Sequence, residues 1–313
     1  MLFDPVRDAN PFFHLFEFLW IVNGRSDVAF LKHFVKRMGD YSDDGMGFYG
    51  SYGRRLAYSL ETAIDRLRRN PDDRRAVAPI YWPDDSRYNG KDMPCNIAAM
   101  FKVRDGKLTL TIANRSNDLI YGAYGANAVQ FGLLTAYAAL SASYDIGAYY
   151  QVSDSLHLYT EDPKSAACLS GIDGIGPDPY STGLVHFVPF FGRGNLVARD
   201  RWIDDLAAFF EFWDAYGPGP MTSVTGQQHL SLLIDIDRHA VGATKWWRKI
   251  AVPMWNAHCL FRAGETERAL SVLAPSGPAP EPDWHVAGRQ WLARRVAARN
   301  DQSVAQEGKT DAA

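Results

Sequence analysis

An α+β fold is what this sequence predicts. A mostly apolar stretch, Pro11 to Val22, reads as a buried helix, and Leu108 to Ser116 (LTLTIANRS) alternates with the period of two of a half-buried strand. Strands and helices then follow one another without the regular βαβ alternation of a doubly wound sheet.

Taken in order, PFFHLFEFLWIV carries one carboxylate, Glu17, and is punctuated by Pro11 at its start and Asn23-Gly24 after its end. Asp27 to Met38 has mixed helical character. Asp40 to Arg55 is rich in Gly and Asp and reads as a loop. Leu56 to Arg69 has helical spacing of apolar and basic residues. Arg75 to Trp82 and Asn96 to Val103 read as strands, as does Ala148 to Tyr159. Gly125 to Ala142 is a helix of small residues suited to close packing. Gly/Pro-rich loops lead to predicted helices at Trp202 to Trp213 and Trp284 to Ala298. The organisation expected is a single catalytic domain over residues 1–300 and a polar, disordered tail over 301–313.

Hydrophobic residues make up 47% of the 313 and charged residues 22%, with a formal net charge of −3. The core can therefore be sizeable, and no basic excess points to a nucleic-acid polymer. The three cysteines, Cys95, Cys168 and Cys259, form no CxxC pair, which argues against a disulfide framework and against a structural metal. No apolar run reaches the length of a membrane span, and the first residues do not resemble a signal peptide. A cytoplasmic protein is expected.

One at a time, the polar residues say little. A cysteine after proline reads as a small buried hydrophobe. A carboxylate in an apolar helix, Glu17, needs either a partner or a raised pKa. Arg74-Arg75 reads as solvated surface. Their order says more. Glu17-Phe18-Leu19-Trp20 with Asn23-Gly24, Ser51-Tyr52-Gly53, Asp73-Arg74-Arg75, Met93-Pro94-Cys95-Asn96, Asn114-Arg115-Ser116-Asn117-Asp118, Gly122 to Asn127 and His157-Leu158-Tyr159 form a co-linear series. That series resembles the thymidylate synthase and deoxycytidylate hydroxymethylase family, over roughly residues 3 to 160.

The resemblance implies a large mixed sheet with flanking helices and a homodimer made by sheet packing. It implies Cys95 as nucleophile, with Asn96 where the synthases have histidine, and Glu17 and Tyr52 as proton-handling residues. Arg115 and Ser116 would bind phosphate, Asp118 would contact the base, and His157 and Tyr159 the sugar. Arg74 and Arg75 would reach the partner's nucleotide phosphate. The donor implied is methylenetetrahydrofolate, and the substrate a pyrimidine nucleoside monophosphate such as dUMP or dCMP. No metal is implied.

The residue types suit this chemistry. C5 of a pyrimidine becomes nucleophilic when a thiolate adds at C6, and a cation beside the cysteine favours that thiolate; Arg115 is the expected neighbour. Guanidinium forks suit a phosphate monoester. Glu17, on its apolar helix, can keep a raised pKa and move protons at O4 or N4. An asparagine amide matches uracil in one orientation and cytosine when flipped. In the family pattern asparagine goes with uracil, but Asn127 lies one residue farther from Arg115 than the pattern has it, where Ala126 stands. Both positions stay open.

A methyl product needs water kept from the reacting carbon, whereas a hydroxymethyl product needs water to attack it. The synthases carry tryptophans in the segment after the glutamate helix, and Leu31 to Gly45 has none. No closing C-terminal segment is recognisable. Hydroxymethylation is therefore expected. A methylating thymidylate synthase and a non-catalytic nucleotide-binding homologue are the alternatives.

Overall fold

Asn10 starts the first helix by accepting the Phe13 N–H on its side chain at 3.2 Å, and Pro11 occupies the first turn, where its missing N–H costs nothing. Helix α1 (Pro11–Val22) then buries nearly all round. It is the centre of the computed structural model, which describes residues 3–170, 177–217, 245–275, 277–278 and 280–310. Asp27 caps α2 (Val28–Phe34), and a 3-10 turn follows over Lys36–Tyr41. The Gly- and Asp-rich stretch expected to be all loop ends in a short helix, α3 (Tyr52–Leu56), because the Ser51 hydroxyl accepts from Arg54 N–H at 3.4 Å. Helix α4 (Ser59–Arg69) follows.

The main sheet has four strands in sequence order: β1 (Val77–Pro79), β2 (Asn96–Arg104), β3 (Lys107–Asp118) and β4 (Asp145–His157). The first three are antiparallel neighbours, whereas β3 and β4 run parallel, so the sheet is mixed. The parallel step needs a crossover, and α5 (Asn127–Ala142) supplies it. Its small residues let it lie close against both strands, with Ala138 and Ala139 fully buried. The strand expected at Arg75 to Trp82 shrinks to Val77–Pro79, since Trp82 instead opens a 3-10 turn over Pro83–Arg87.

Between β3 and α5 the chain makes a wide π-type turn, Leu119–Ala126, broken at Gly125 (φ −116°, ψ −115°). A Cβ at Gly125 would stand 2.7 Å from the Ile120 carbonyl oxygen and 2.8 Å from Arg7 Nη2, so only glycine fits. Arg7 closes the turn from below, donating from Nε to the Ile120 carbonyl at 2.9 Å.

The second half adds α6 (Pro163–Ser170), α7 (Leu196–Tyr216), α8 (Val252–Arg262), α9 (Thr266–Val272) and α10 (Asp283–Thr310), with a two-stranded parallel pair, β5 (Val185–His186) and β6 (Glu281–Pro282). Aromatic contacts tie it to α1 and α2. Phe16 stacks on Phe34 at 5.1 Å and on Phe209 at 5.6 Å, and Phe30 meets Trp213 edge-on at 5.0 Å. Such pairs add about 1 kcal/mol each beyond their buried area. Arg294 and Arg295 of α10 both reach Asp8, at 3.0 and 2.7 Å. Helix α10 continues through Thr310, so most of the tail expected to be disordered is helical, in keeping with its Ala, Gln, Glu and Lys content. Residues 311–313 lie outside the described residues.

Candidate active site

Cys95 sits just before β2, on a segment that the loop ahead of α3 pins in place. Gly50 N–H donates to Asp92 Oδ2 at 2.8 Å, and a Cβ on Gly50 would meet the Asp92 carbonyl at 2.6 Å. This close approach sets Tyr52, at the start of α3, against the cysteine segment.

Arg115 of β3 faces the same segment. Its backbone N–H donates to the Cys95 carbonyl at 2.9 Å, its Nε to the Pro94 carbonyl at 2.9 Å and its Nη2 to the Met93 carbonyl at 3.2 Å. The same Nη2 stands 4.0 Å from Cys95 Sγ. The cation predicted beside the thiol is there. The thiol nevertheless lies above its ordinary value: burial pushes it up, Arg115 pulls it down, and Asp92 pushes it up again. The expected lowering thus fails in the isolated chain, because one guanidinium shared with two carbonyls does not outweigh desolvation.

Tyr52 donates its hydroxyl to Asn96 Oδ1, and Asn96 Nδ2 donates to Asn114 Oδ1 at 2.6 Å. Burial, reinforced by the nearby Cys95 and Asp92, raises the Tyr52 phenol far above its ordinary value, so it stays protonated. Glu17, at the middle of α1, receives a hydrogen bond from Gln130 Nε2 of α5. Burial raises its carboxyl to about 8, so it carries a proton at neutral pH.

Asp118 ends β3. Its Oδ1 accepts from Tyr121 N–H at 2.5 Å, capping the π turn, while Oδ2 is buried with no partner among the described residues. Asn127 is buried, and its Nδ2 donates to Asn117 Oδ1 at 3.0 Å. His157 lies opposite Asp118 in the β3–β4 register, Ser116 opposite Ser155, and the exposed Tyr159 ring is 5.2 Å from that of His157.

Arg74 and Arg75 stand apart, exposed ahead of β1. Asp73 holds Arg75 through Nε at 2.9 Å and Nη2 at 3.0 Å, while Arg74 has no ion pair among the described residues. Neither has a hydrogen bond or ion pair to the Cys95 group of its own chain. The sequence reading quoted Asn114 and Asn117 within a motif but gave them no role, and it missed the amides Gln130 and Gln151, whose partners are distant in sequence. Gln130 left one signal: it is the long polar residue in the otherwise small and apolar run of α5.

Known proteins resemble this chain in sequence. The family model described as thymidylate synthase matches residues 12–168. A protein of Pseudomonas phage M6 named deoxyuridylate hydroxymethyltransferase is 37% identical over 312 residues, covering 95% of this chain and 81% of its own. This chain belongs to the thymidylate synthase family. A second protein of that name, from Bacillus phage SP01, is 43% identical over 173 residues, and there the match spans 50% of this chain and 45% of the relative. The crystal structure of thymidylate synthase from T4 phage aligns with a TM-score of 0.43 at 19% identity, over 50% of this chain and 62% of that one. The thymidylate synthase match covers α1 through α6, so every residue of the Cys95 group lies inside it. Helix α7 lies beyond it, and its Phe209 and Trp213 pack on Phe16 and Phe30 inside it. Among the described residues no helix is long and apolar enough to cross a membrane, and no group of His, Cys, Asp and Glu is placed to hold a metal.

Proposed function

We propose that this chain transfers a one-carbon unit from methylenetetrahydrofolate to C5 of a pyrimidine nucleoside 5′-monophosphate, preferring dUMP over dCMP, and releases the 5-hydroxymethyl product. One observation carries the reading: Arg115 Nη2 meets Cys95 Sγ at 4.0 Å, and Tyr52 feels both that cysteine and Glu17. The similarity to a protein named deoxyuridylate hydroxymethyltransferase along nearly the whole chain supports the choice of nucleotide and product.

Asp118 Oδ2, buried and unpartnered, suits N–H donors such as those on the aminopyrimidine edge of a folate. The folate, when bound, supplies carbon at the oxidation level of formaldehyde. The chain's own residues do the rest. Cys95 adds as thiolate at C6, which makes C5 nucleophilic. Arg115 stabilises that thiolate and, with Ser116, orients the phosphate. Glu17 gives its proton at O4 as charge moves onto the ring. Tyr52 is a phenol rather than a phenolate, so it orients the water that removes the C5 proton and is not itself the base. His157 and Tyr159 hold the sugar, and Asn127 reads the base.

Water capture favours the hydroxymethyl product. The segment Leu31 to Gly45 brings no tryptophan, and its 3-10 turn Lys36–Tyr41 buries none of its residues. A homodimer is part of the proposal. The outer face of the sheet carries Tyr150, Val152 and Leu156 of β4, which are 55%, 60% and 56% exposed and together form an apolar patch of the kind that a partner surface covers. On that arrangement Arg74 and Arg75 serve the partner's phosphate. No disulfide joins cysteines among the described residues, which fits a reducing, cytoplasmic setting.

The test is mass spectrometry of dUMP, dCMP and CMP incubated in parallel with the protein and methylenetetrahydrofolate. A gain of about 30 Da on dUMP, lost in Cys95→Ala, is expected, since CH2O is added by water capture. A gain of about 14 Da would instead make the chain a methylating synthase. No change on any nucleotide would leave a nucleotide-binding homologue without catalysis.

A further inference from the structure

Asn127 does not stand alone. Its Nδ2 donates to Asn117 Oδ1 at 3.0 Å, Asn117 Nδ2 donates to Gln151 Oε1 and to Ser153 Oγ, each at 3.0 Å, and Gln151 Nε2 donates to the Ala123 carbonyl at 2.7 Å. An amide chain can in general run in either direction, because each amide is both donor and acceptor. This one cannot. It ends on a backbone carbonyl, which only accepts, so Gln151 must present its nitrogen there and its oxygen to Asn117. Asn117 must then give its nitrogen to Gln151 and its oxygen to Asn127.

Reversing Asn127 would set two amide oxygens against each other. Turning Asn117 to relieve that would move the clash to Gln151, and turning Gln151 would move it to the Ala123 carbonyl. Asn117 is 2% exposed and Asn127 7%, so water cannot mend the fault.

We infer that Asn117 and Gln151 are specificity-determining positioning residues. They lock the Asn127 amide with its nitrogen toward Asn117 and forbid the flip that would exchange one pyrimidine for the other, so the site is committed to a single base; the likeness to a protein named deoxyuridylate hydroxymethyltransferase makes that base uracil. This rests on the reading of Asn127 as the residue that meets the base. An asparagine free to rotate would serve both bases, and the lock removes that freedom. The chain also spans β3, the π turn, α5 and β4, so the lock is built from separate elements rather than from one loop.

The experiment measures kcat/KM of the full chain for dUMP and dCMP with methylenetetrahydrofolate, alongside calorimetric Kd for both nucleotides, so that loss of turnover does not hide the ratio. Asn117→Leu removes the acceptor, and Gln151→Leu, at a partly exposed position, removes the anchor without emptying the buried centre. In each the dUMP:dCMP ratio is expected to fall roughly tenfold, the worth of about one hydrogen bond. Ser153→Ala, which removes only the second acceptor of Asn117 Nδ2 and leaves the run from Asn127 to the Ala123 carbonyl intact, is expected to keep the ratio within about threefold. Wild-type ratios in both leucine variants, with a lowered ratio in Asn127→Ala, would overturn the lock while leaving Asn127 as the base reader. An unchanged ratio in Asn127→Ala would overturn the lock together with the reading it rests on.

Discussion

The hydroxyl of Tyr52 ends on the side-chain oxygen of Asn96, and Asn96 passes its own N–H to Asn114 at 2.6 Å. Tyrosine and nucleophile segment are thereby coupled through the residue that follows Cys95. Asn96→Leu would leave a buried phenol without an acceptor. It is expected to cost about 1–3 kcal/mol in urea denaturation and to lower kcat on the order of a hundredfold. Asn96→Asp, which keeps the acceptor, should lose less of both.

Glu17 makes stability depend on pH in a definite sense. Its carboxyl lies at about 8 in the folded chain against an ordinary 4.5, so the folded state holds the extra proton. Stability should therefore decline as pH rises from about 4.5 to about 8, and Glu17→Gln should flatten that decline. Thermal melts across this range read it directly. Gln130→Leu removes the donor that favours the ionised form. It should move the alkaline limb of the kcat profile upward, and an unmoved limb would detach Gln130 from Glu17.

Cys95 should alkylate slowly. Burial and Asp92 hold the thiol above its ordinary 9.0 despite Arg115. Iodoacetamide labelling followed by mass spectrometry should thus reach half its maximal rate only above pH 9. Arg115→Ala should push that midpoint higher still, since it removes the guanidinium that stands 4.0 Å from the sulfur and favours the thiolate.

A buried ion pair anchors the far side of α3. Arg55 and Asp85 meet at 2.5 Å with side chains 1% and 0% exposed, and the guanidinium also lies over the Trp82 ring at 4.7 Å. Burial pushes Asp85 up, but hydrogen bonds from Arg55 and the Trp82 N–H outweigh it and hold the carboxyl at about 2. Arg55→Met would strand that charge and is expected to cost about 3–5 kcal/mol. In the wild type the contribution should be lost as pH falls from about 4 toward 2.

Mixing tests the shared arginines. An Arg74→Ala/Arg75→Ala chain and a Cys95→Ala chain, each inactive alone, should regain one working site per heterodimer once subunits exchange. Exchange confirmed by native mass spectrometry without recovered turnover would count against sharing across the interface.

Much of this fold is legible in residue order. The helix of Pro11–Val22 is announced by a continuous apolar run with an Asn-Gly stop, and β3 by its alternation. Tyr52–Leu56 hid as a helix because a serine cap among glycines looks like a loop until the Ser51–Arg54 contact forms. The candidate residues Cys95, Glu17, Tyr52 and Arg115 stand out in the sequence through their order. The amides that aim them do not, since Gln130 meets Glu17 across 113 positions and Gln151 meets Asn117 across 34. The thiol's direction was misjudged for a related reason. A neighbouring cation can be read from a motif, whereas burial is a property of the whole packed chain.

The wide turn at Leu119–Ala126 also acts as a buffer for length. One added residue in a regular helix rotates everything after it by about 100°, which would swing Gln130 and Phe131 off the face that meets α1 and the sheet. A π turn takes an extra residue into its circumference instead. The segment between Arg115 and Asn127 can therefore absorb a change of one residue within the turn while α5 keeps the face on which Gln130 meets Glu17.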